Sequence, residues 1–158
     1  MIKLLIMDVD GTLTDGKIYL TNMGDEIKSF NAKDGYSIKN RLPQMNIIPV
    51  IITGRESEIV KKRAEELGIK ELYQNVKSKI SICNILLKKY NLKFENIASI
   101  GDDFNDLEIL ELCGLSACPN DAIEEVKEKV DIKLSRKGGE GAVYEFISYL
   151  LKYNKGEI

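Results

Sequence analysis

Residues 4–16 read Leu4-Leu5-Ile6-Met7-Asp8-Val9-Asp10-Gly11-Thr12-Leu13-Thr14-Asp15-Gly16. Four apolar residues in a row, with no polar alternation, predict a strand buried on both faces. The run stops at two carboxylates one residue apart. Both reach one site if the chain leaves β geometry there, and Gly11 permits that turn. A polar loop of turn residues accounts for the same composition. Two further apolar runs end in polar clusters: Ile48 to Ile52 leads into Thr53-Gly54-Arg55, and Ile97 to Ile100 into Gly101-Asp102-Asp103-Phe104-Asn105-Asp106.

Amphipathic stretches lie between these runs. Lys17 to Leu20 and Glu26 to Asn31 read as hairpin arms around Asn22-Met23-Gly24-Asp25. Helices are predicted over Asp34 to Leu42, Glu58 to Leu67 with Gly68 as its stop, Ser78 to Tyr90, Asp106 to Cys113, Asp121 to Val130 and Ala142 to Tyr153. Short strands are expected at Leu115 to Cys118 and Ile132 to Leu134. Doubly apolar strands separated by helices imply an α/β fold, a doubly wound, Rossmann-like parallel sheet with a small inserted β-hairpin. Ligands of such sheets sit at the carboxyl ends of the strands, where all three clusters fall.

The 158 residues fit a single domain, 1–158, at ~150 residues per domain. Lys and Arg number 23 against 25 Asp and Glu, so no basic excess points to nucleic acid or to an anionic membrane. There is no His, which removes Ser-His-Asp and Cys-His sites, His-ligated zinc and His acid–base catalysis. With no Trp and 7% aromatic residues, a stacking platform for single strands is not expected. Cys83, Cys113 and Cys118 form no Cys-x-x-Cys pair and read as reduced, structural thiols. The first apolar run is too short for a signal peptide, and Ile47 to Ile52 is too short to span a membrane, so a cytoplasmic protein is expected.

Each cluster has an ordinary reading beside a chemical one. Thr53-Gly54 can offer a hydroxyl and an N–H to an anion, and Arg55 is by default a solvated charge. Lys79 starts a helix, where a cation opposes the macrodipole and invites an anionic partner; it reads equally as a surface charge behind a Ser78 cap. Asp103 or Asn105 can cap a helix, but capping does not call for three acids within Asp102, Asp103 and Asp106. Mg²⁺ prefers oxygen ligands and takes one or two carboxylates. Taken in order, strand-end Asp-x-Asp, strand-end Thr, helix-start Lys and strand-end Gly-Asp-Asp supply the inventory of phosphoryl transfer.

This order resembles the haloacid dehalogenase superfamily of phosphatases over Leu4 to about Leu151. Within it the chain is similar to the small, capless branch that includes the 3-deoxy-D-manno-octulosonate 8-phosphate phosphatases. Asp15-Gly16, Phe30-Asn31, Asp34-Gly35, Thr53-Gly54-Arg55-x-Ser57, Arg63-Ala64, Val76-Lys77-Ser78-Lys79 and Gly138-Gly139-Glu140-Gly141-Ala142-Val143 carry that likeness. No insertion is long enough for a cap domain. The resemblance implies that Asp8 is a nucleophile forming an aspartyl-phosphate and that Asp10 is the acid–base. It implies that Asp8, the Asp10 carbonyl and Asp102 hold Mg²⁺, with Asp103 and Asp106 behind them, and that Thr53 and Lys79 bind phosphoryl oxygens. Thr12 stands where this branch often has Val, and Glu140 and Tyr144 where Arg is more usual.

The implied substrate is a small sugar-acid phosphate. Arg55 after Thr53-Gly54 favours the eight-carbon octulosonate 8-phosphate; the alternative is a nine-carbon, sialic-acid-type 2-keto acid 9-phosphate, whose enzymes tend to have Glu there. Arg55 reads otherwise as a structural salt bridge with Glu58 or another acid. A phosphoacceptor receiver domain shares the residue types but not their order, since here an acidic cluster follows the Lys. A hairpin with unpaired edges and an open site lead to the expectation of a homo-oligomer, and the resemblance implies a homotetramer, with Arg136 to Gly141 near a neighbour's site.

Overall fold

Leu4–Met7 is buried at all four positions, which requires cover on both sides. The computed structural model describes residues 1–158 and places this strand, β1, at the centre of a six-stranded sheet. The other strands are β4 (Ile48–Ile52), β5 (Glu71–Tyr73), β6 (Ile97–Ile100), β7 (Leu115–Cys118) and β8 (Ile132–Lys133). Their order is β5-β4-β1-β6-β7-β8, parallel throughout. The chain builds outward from β1 through β4 to β5, then crosses back and builds outward from β6. The order therefore reverses between β1 and β6, the crevice where such sheets bind ligands. β1 pairs in register with both, Leu4 opposite Ile48 and Ile97. A separate two-stranded hairpin, β2 (Tyr19–Leu20) with β3 (Glu26–Ile27), is the insertion after β1, and there is no cap domain.

The helices are α1 (Ala32–Tyr36), α2 (Glu58–Leu67), α3 (Lys79–Tyr90), α4 (Leu107–Leu112), α5 (Glu124–Lys127) and α6 (Ala142–Lys155). Side-chain alternation sorts the core. Leu5, Met7 and Ile51 pack with Val60 and Ala64 of α2 and Phe146 and Ile147 of α6. Leu4, Ile6, Val50 and Ile52 face the other way, onto Cys83 and Leu86 of α3 and Ile109 of α4. α2 ends as its sequence predicts, with Gly68 closing it in the left-handed region, and Ser57 caps its start by accepting from the Ile59 N–H. No helix is long and apolar enough to cross a membrane. The three thiols are unpaired, and burial pushes Cys83 and Cys113 up to about 12 and Cys118 up to about 11.

Several boundaries differ from the sequence expectation. The helix expected over Asp34 to Leu42 starts at Ala32, capped by Asn31, and widens into a π-helical turn over Ser37–Arg41. That turn closes on the Leu42 N–H to Ser37 carbonyl bond just before Pro43, and it keeps both Ile38 and Leu42 in the core. β5 went unread: it is three residues long and begins with Glu71. The hairpin arms pair over only two residues each. The expected helix over Asp121 to Val130 shrinks to α5, and the one expected at Asp106 starts at Leu107 after a 3₁₀ turn over Phe104–Asp106.

Candidate active site

The loop after β1 is wound tightly. The N–H groups of Thr12, Leu13 and Thr14 all donate to the Val9 carbonyl, at 3.1, 2.9 and 3.0 Å. The Thr14 hydroxyl accepts from the Gly11 and Gly16 N–H groups. Gly11 is required twice over: its φ is +90°, and a Cβ there would collide with the Asp102 carboxylate. This hook leaves Asp8 buried at the strand end and Asp10 on the rim.

Asp106 reaches back over the turn after β6. Its Oδ2 accepts from the Asp102 and Asp103 N–H groups at 3.0 and 3.2 Å, over Gly101, where a Cβ would strike it. Its Oδ1 takes Lys79 Nζ at 2.7 Å, and the same ammonium sits 2.5 Å from Asp8 Oδ1. Lys79 opens α3, against the dipole, and is buried. Burial works against its charge, but the carboxylates of Asp8 and Asp106 outweigh it and raise its proton affinity. The Thr12 hydroxyl donates to Asp102 Oδ1 at 3.1 Å.

Asp8, Asp102 and Asp106 bring carboxylate oxygens within 4.8 Å of one another. Burial first, and neighbouring carboxylates second, push Asp8 and Asp102 above the usual carboxylate range. Three carboxylates against one ammonium leave two formal negative charges, which a divalent cation would balance. Asp106 is already engaged through both oxygens, so Asp8 and Asp102 are the side chains available to a metal and Asp106 braces them. Asp103 accepts from the Phe104 N–H at 2.7 Å and is an exposed cap of its own turn.

A polar cleft beside this cluster is lined by Asp8, Asp10, Thr53, Gly54, Arg55, Asp103 and Asn105. Thr53 is buried and fixed by its N–H to the Tyr73 carbonyl and its carbonyl to the Val76 N–H. A Cβ at Gly54 would meet nothing closer than 3.7 Å, so packing does not demand glycine there. Arg55 is half exposed and pairs through Nη2 with Glu26 at 3.1 Å, so "another acid" than Glu58 holds it. Glu26 also accepts from Lys28 at 3.0 Å, and Lys28 Nζ lies 2.6 Å from Asp10 Oδ1 with its side chain 3% exposed. Burial lowers the Lys28 proton affinity, but bonds to Asp10 and Glu26 more than restore it, and it ends raised. Sequence reasoning missed Glu26 and Lys28. Period-two alternation along the second hairpin arm was the available signal, since it puts residues 26, 28 and 30 on one face.

The tail closes on its own chain. The Gly139 N–H donates to the Thr12 carbonyl, the Gly138 N–H to Asp121 Oδ1, and a Cβ at Gly138 would collide with the Gly11 carbonyl. Arg136 lies 5.4 Å over the Tyr144 ring.

A paired carboxylate site with a buried lysine, at the switch point of a parallel sheet, is the equipment of phosphoryl transfer. A model of the haloacid dehalogenase-like hydrolases matches residues 70–147. The 3-deoxy-D-manno-octulosonate 8-phosphate phosphatase of Salmonella typhi is 43% identical over 95% of this chain and 79% of its own length. The structure of that enzyme from Yersinia pestis superposes with a TM-score of 0.92 at 39% identity, over 99% of this chain and 83% of that one. The enzyme from Moraxella catarrhalis, in complex with magnesium ion, phosphate ion and a KDO molecule, gives 0.92 at 38%, over 96% and 86%. The chain belongs to the haloacid dehalogenase-like hydrolases, in the 3-deoxy-D-manno-octulosonate 8-phosphate phosphatase family, and is a phosphoric monoester hydrolase.

Proposed function

We propose that this chain is a Mg²⁺-dependent phosphatase of 3-deoxy-D-manno-octulosonate 8-phosphate that works through an aspartyl-phosphate on Asp8. The observation that carries the reading is the buried Asp8–Lys79–Asp106 chain, with Asp102 beside it, opening onto the Thr53–Arg55 cleft. Lys79 opposes the rise in proton affinity that burial imposes on Asp8 and, with Thr53, binds phosphoryl oxygens. An Asp8 oxygen attacks phosphorus; the bond from phosphorus to the sugar oxygen breaks, and that oxygen takes a proton from Asp10. Water then attacks the phosphorus of the aspartyl-phosphate and gives its proton to Asp10. The bond to Asp8 breaks, inorganic phosphate leaves, and both carboxylates return to their starting states. Mg²⁺ held by Asp8, the Asp10 carbonyl and Asp102 would offset the charge on nucleophile and phosphate.

Arg55 supplies a guanidinium at the outer end of the cleft, where the carboxylate of a sugar acid would compete with Glu26 for it. Residues 1–158 act as one phosphatase domain. The hairpin's exposed Ile18, Leu20, Met23 and Ile27 support assembly as a homotetramer. The test is phosphate release, with Mg²⁺, from the octulosonate 8-phosphate and from N-acetylneuraminate 9-phosphate. A clear preference in kcat/KM for the eight-carbon ester is expected. Preference for the nine-carbon ester overturns the substrate assignment, and no release from either overturns the function.

A further inference from the structure

Asp10 makes its side-chain hydrogen bond through one oxygen only, Oδ1, and the donor comes from outside the loop that carries it. That donor is Lys28, next to β3 of the hairpin. Its ammonium is buried between Asp10 and Glu26, and Glu26 is tied in turn to Arg55 across the cleft. Charges alternate along the row Asp10, Lys28, Glu26, Arg55, and every link is 3.1 Å or shorter. A lysine just past a two-residue strand would normally extend into water, because burying its stem and charge costs free energy unless partners replace the solvent. Here two carboxylates replace it.

We propose that Lys28 is a positioning residue: it fixes the Asp10 carboxylate by Oδ1, leaves Oδ2 to carry the exchanging proton, and so makes proton transfer depend on where the hairpin sits. This rests on the phosphatase reading above. Asp10 is on the rim of the site and partly exposed, and no other side chain bonds it. Without Lys28 its carboxylate is free to turn about χ1 and χ2, and small misplacements of an acid–base group cost large factors in rate.

The measurement compares Lys28→Met with the wild type on two esters. A sugar-acid phosphate needs a proton on its leaving oxygen; p-nitrophenyl phosphate does not, so only its second, hydrolytic step uses Asp10. On the sugar-acid ester kcat is expected to fall about 10- to 100-fold with KM changed less than about threefold. With p-nitrophenyl phosphate the first-turnover burst should stay within about threefold of the wild type while steady-state turnover slows, and Lys28→Arg should recover most of the loss. Burst and steady state falling by one factor mark a general loss of the site and overturn the proposal, as does a wild-type kcat on both esters. If Lys28→Met does not fold, Lys28→Gln withdraws the ammonium from Asp10 Oδ1 while keeping a polar side chain. The same pattern at smaller size is then expected, and unchanged kcat overturns the proposal. A wild type inactive on both esters refutes the phosphatase reading instead.

Discussion

Asp102 carries a conflict that the fold does not resolve by itself. Burial and the charges of Asp8 and Asp106 raise its proton affinity, while the Thr12 hydroxyl favours the ionised form. A carboxylate whose proton affinity is higher folded than unfolded stabilises the protein at low pH and loses that contribution as pH rises through its folded value. In metal-free buffer at neutral pH, Asp102→Asn is therefore expected to melt above the wild type. Added Mg²⁺ should act selectively: at a hundredfold excess over Kd it stabilises the wild type by about 2.7 kcal/mol and leaves the variant nearly unmoved. Melting curves with EDTA and with Mg²⁺ check this without any assay of activity, and equal Mg²⁺ shifts in both proteins would remove Asp102 from the metal site. The residue types of this cluster were legible in the sequence because Asp8, Asp102 and Asp106 follow apolar runs. What could not be read was the division of labour, since Asp106 is committed to Lys79 and two N–H groups only once the turn over Gly101 has formed.

Among the elements, α6 is capped from 110 residues away. Gly141 has no side chain to cap with, and Asp34 Oδ1 accepts from the Tyr144 N–H at 2.8 Å instead. Burial pushes Asp34 from its ordinary 3.8 to about 6, opposed by that N–H and by the charges of Arg63 and Arg136, and its Oδ2 has no partner. Its contribution is greatest below pH 4 and is lost as pH rises to about 6, leaving a constant cost above. Asp34→Asn keeps the Oδ1 acceptor and removes the buried charge. It should stabilise the protein by about 1–3 kcal/mol at pH 7–8, with the gain vanishing toward pH 4; thermal melts across that range check it. Such a cap is invisible in sequence because its two halves are not neighbours. The same limit explains the π-helical turn and β5. β1, β4, β6 and β7 match their expected bounds, because each is a short, mostly apolar run between turn signals. β5 needed its partner β4 to exist, for its Glu71 is buried only through Tyr73, Tyr90 and Lys89.

For the whole molecule, the sheet order puts Asp8 and Asp102 just past the ends of the two strands that flank the switch point, so the cluster follows from topology as much as from motif. The hairpin is the exception to the burial rule elsewhere, with Met23 87% exposed and Ile18, Leu20 and Ile27 also exposed. A second copy covering that face would protect it, and light scattering is expected to give a tetramer. Ile27→Asp should give smaller species with lower kcat; a monomer of full activity would contradict both the assembly and the role given to the hairpin. The central claim is that Asp8 carries the phosphoryl group. Borohydride reduces an aspartyl-phosphate to homoserine, so Asp10→Asn, expected to form the intermediate slowly and to hydrolyse it poorly, can be mixed with substrate and Mg²⁺, reduced, digested and analysed by mass spectrometry. Homoserine at position 8, absent without substrate and absent in Asp8→Asn, is the predicted result. An unmodified Asp8 in an enzyme that still turns over, or homoserine at another aspartate, would contradict it.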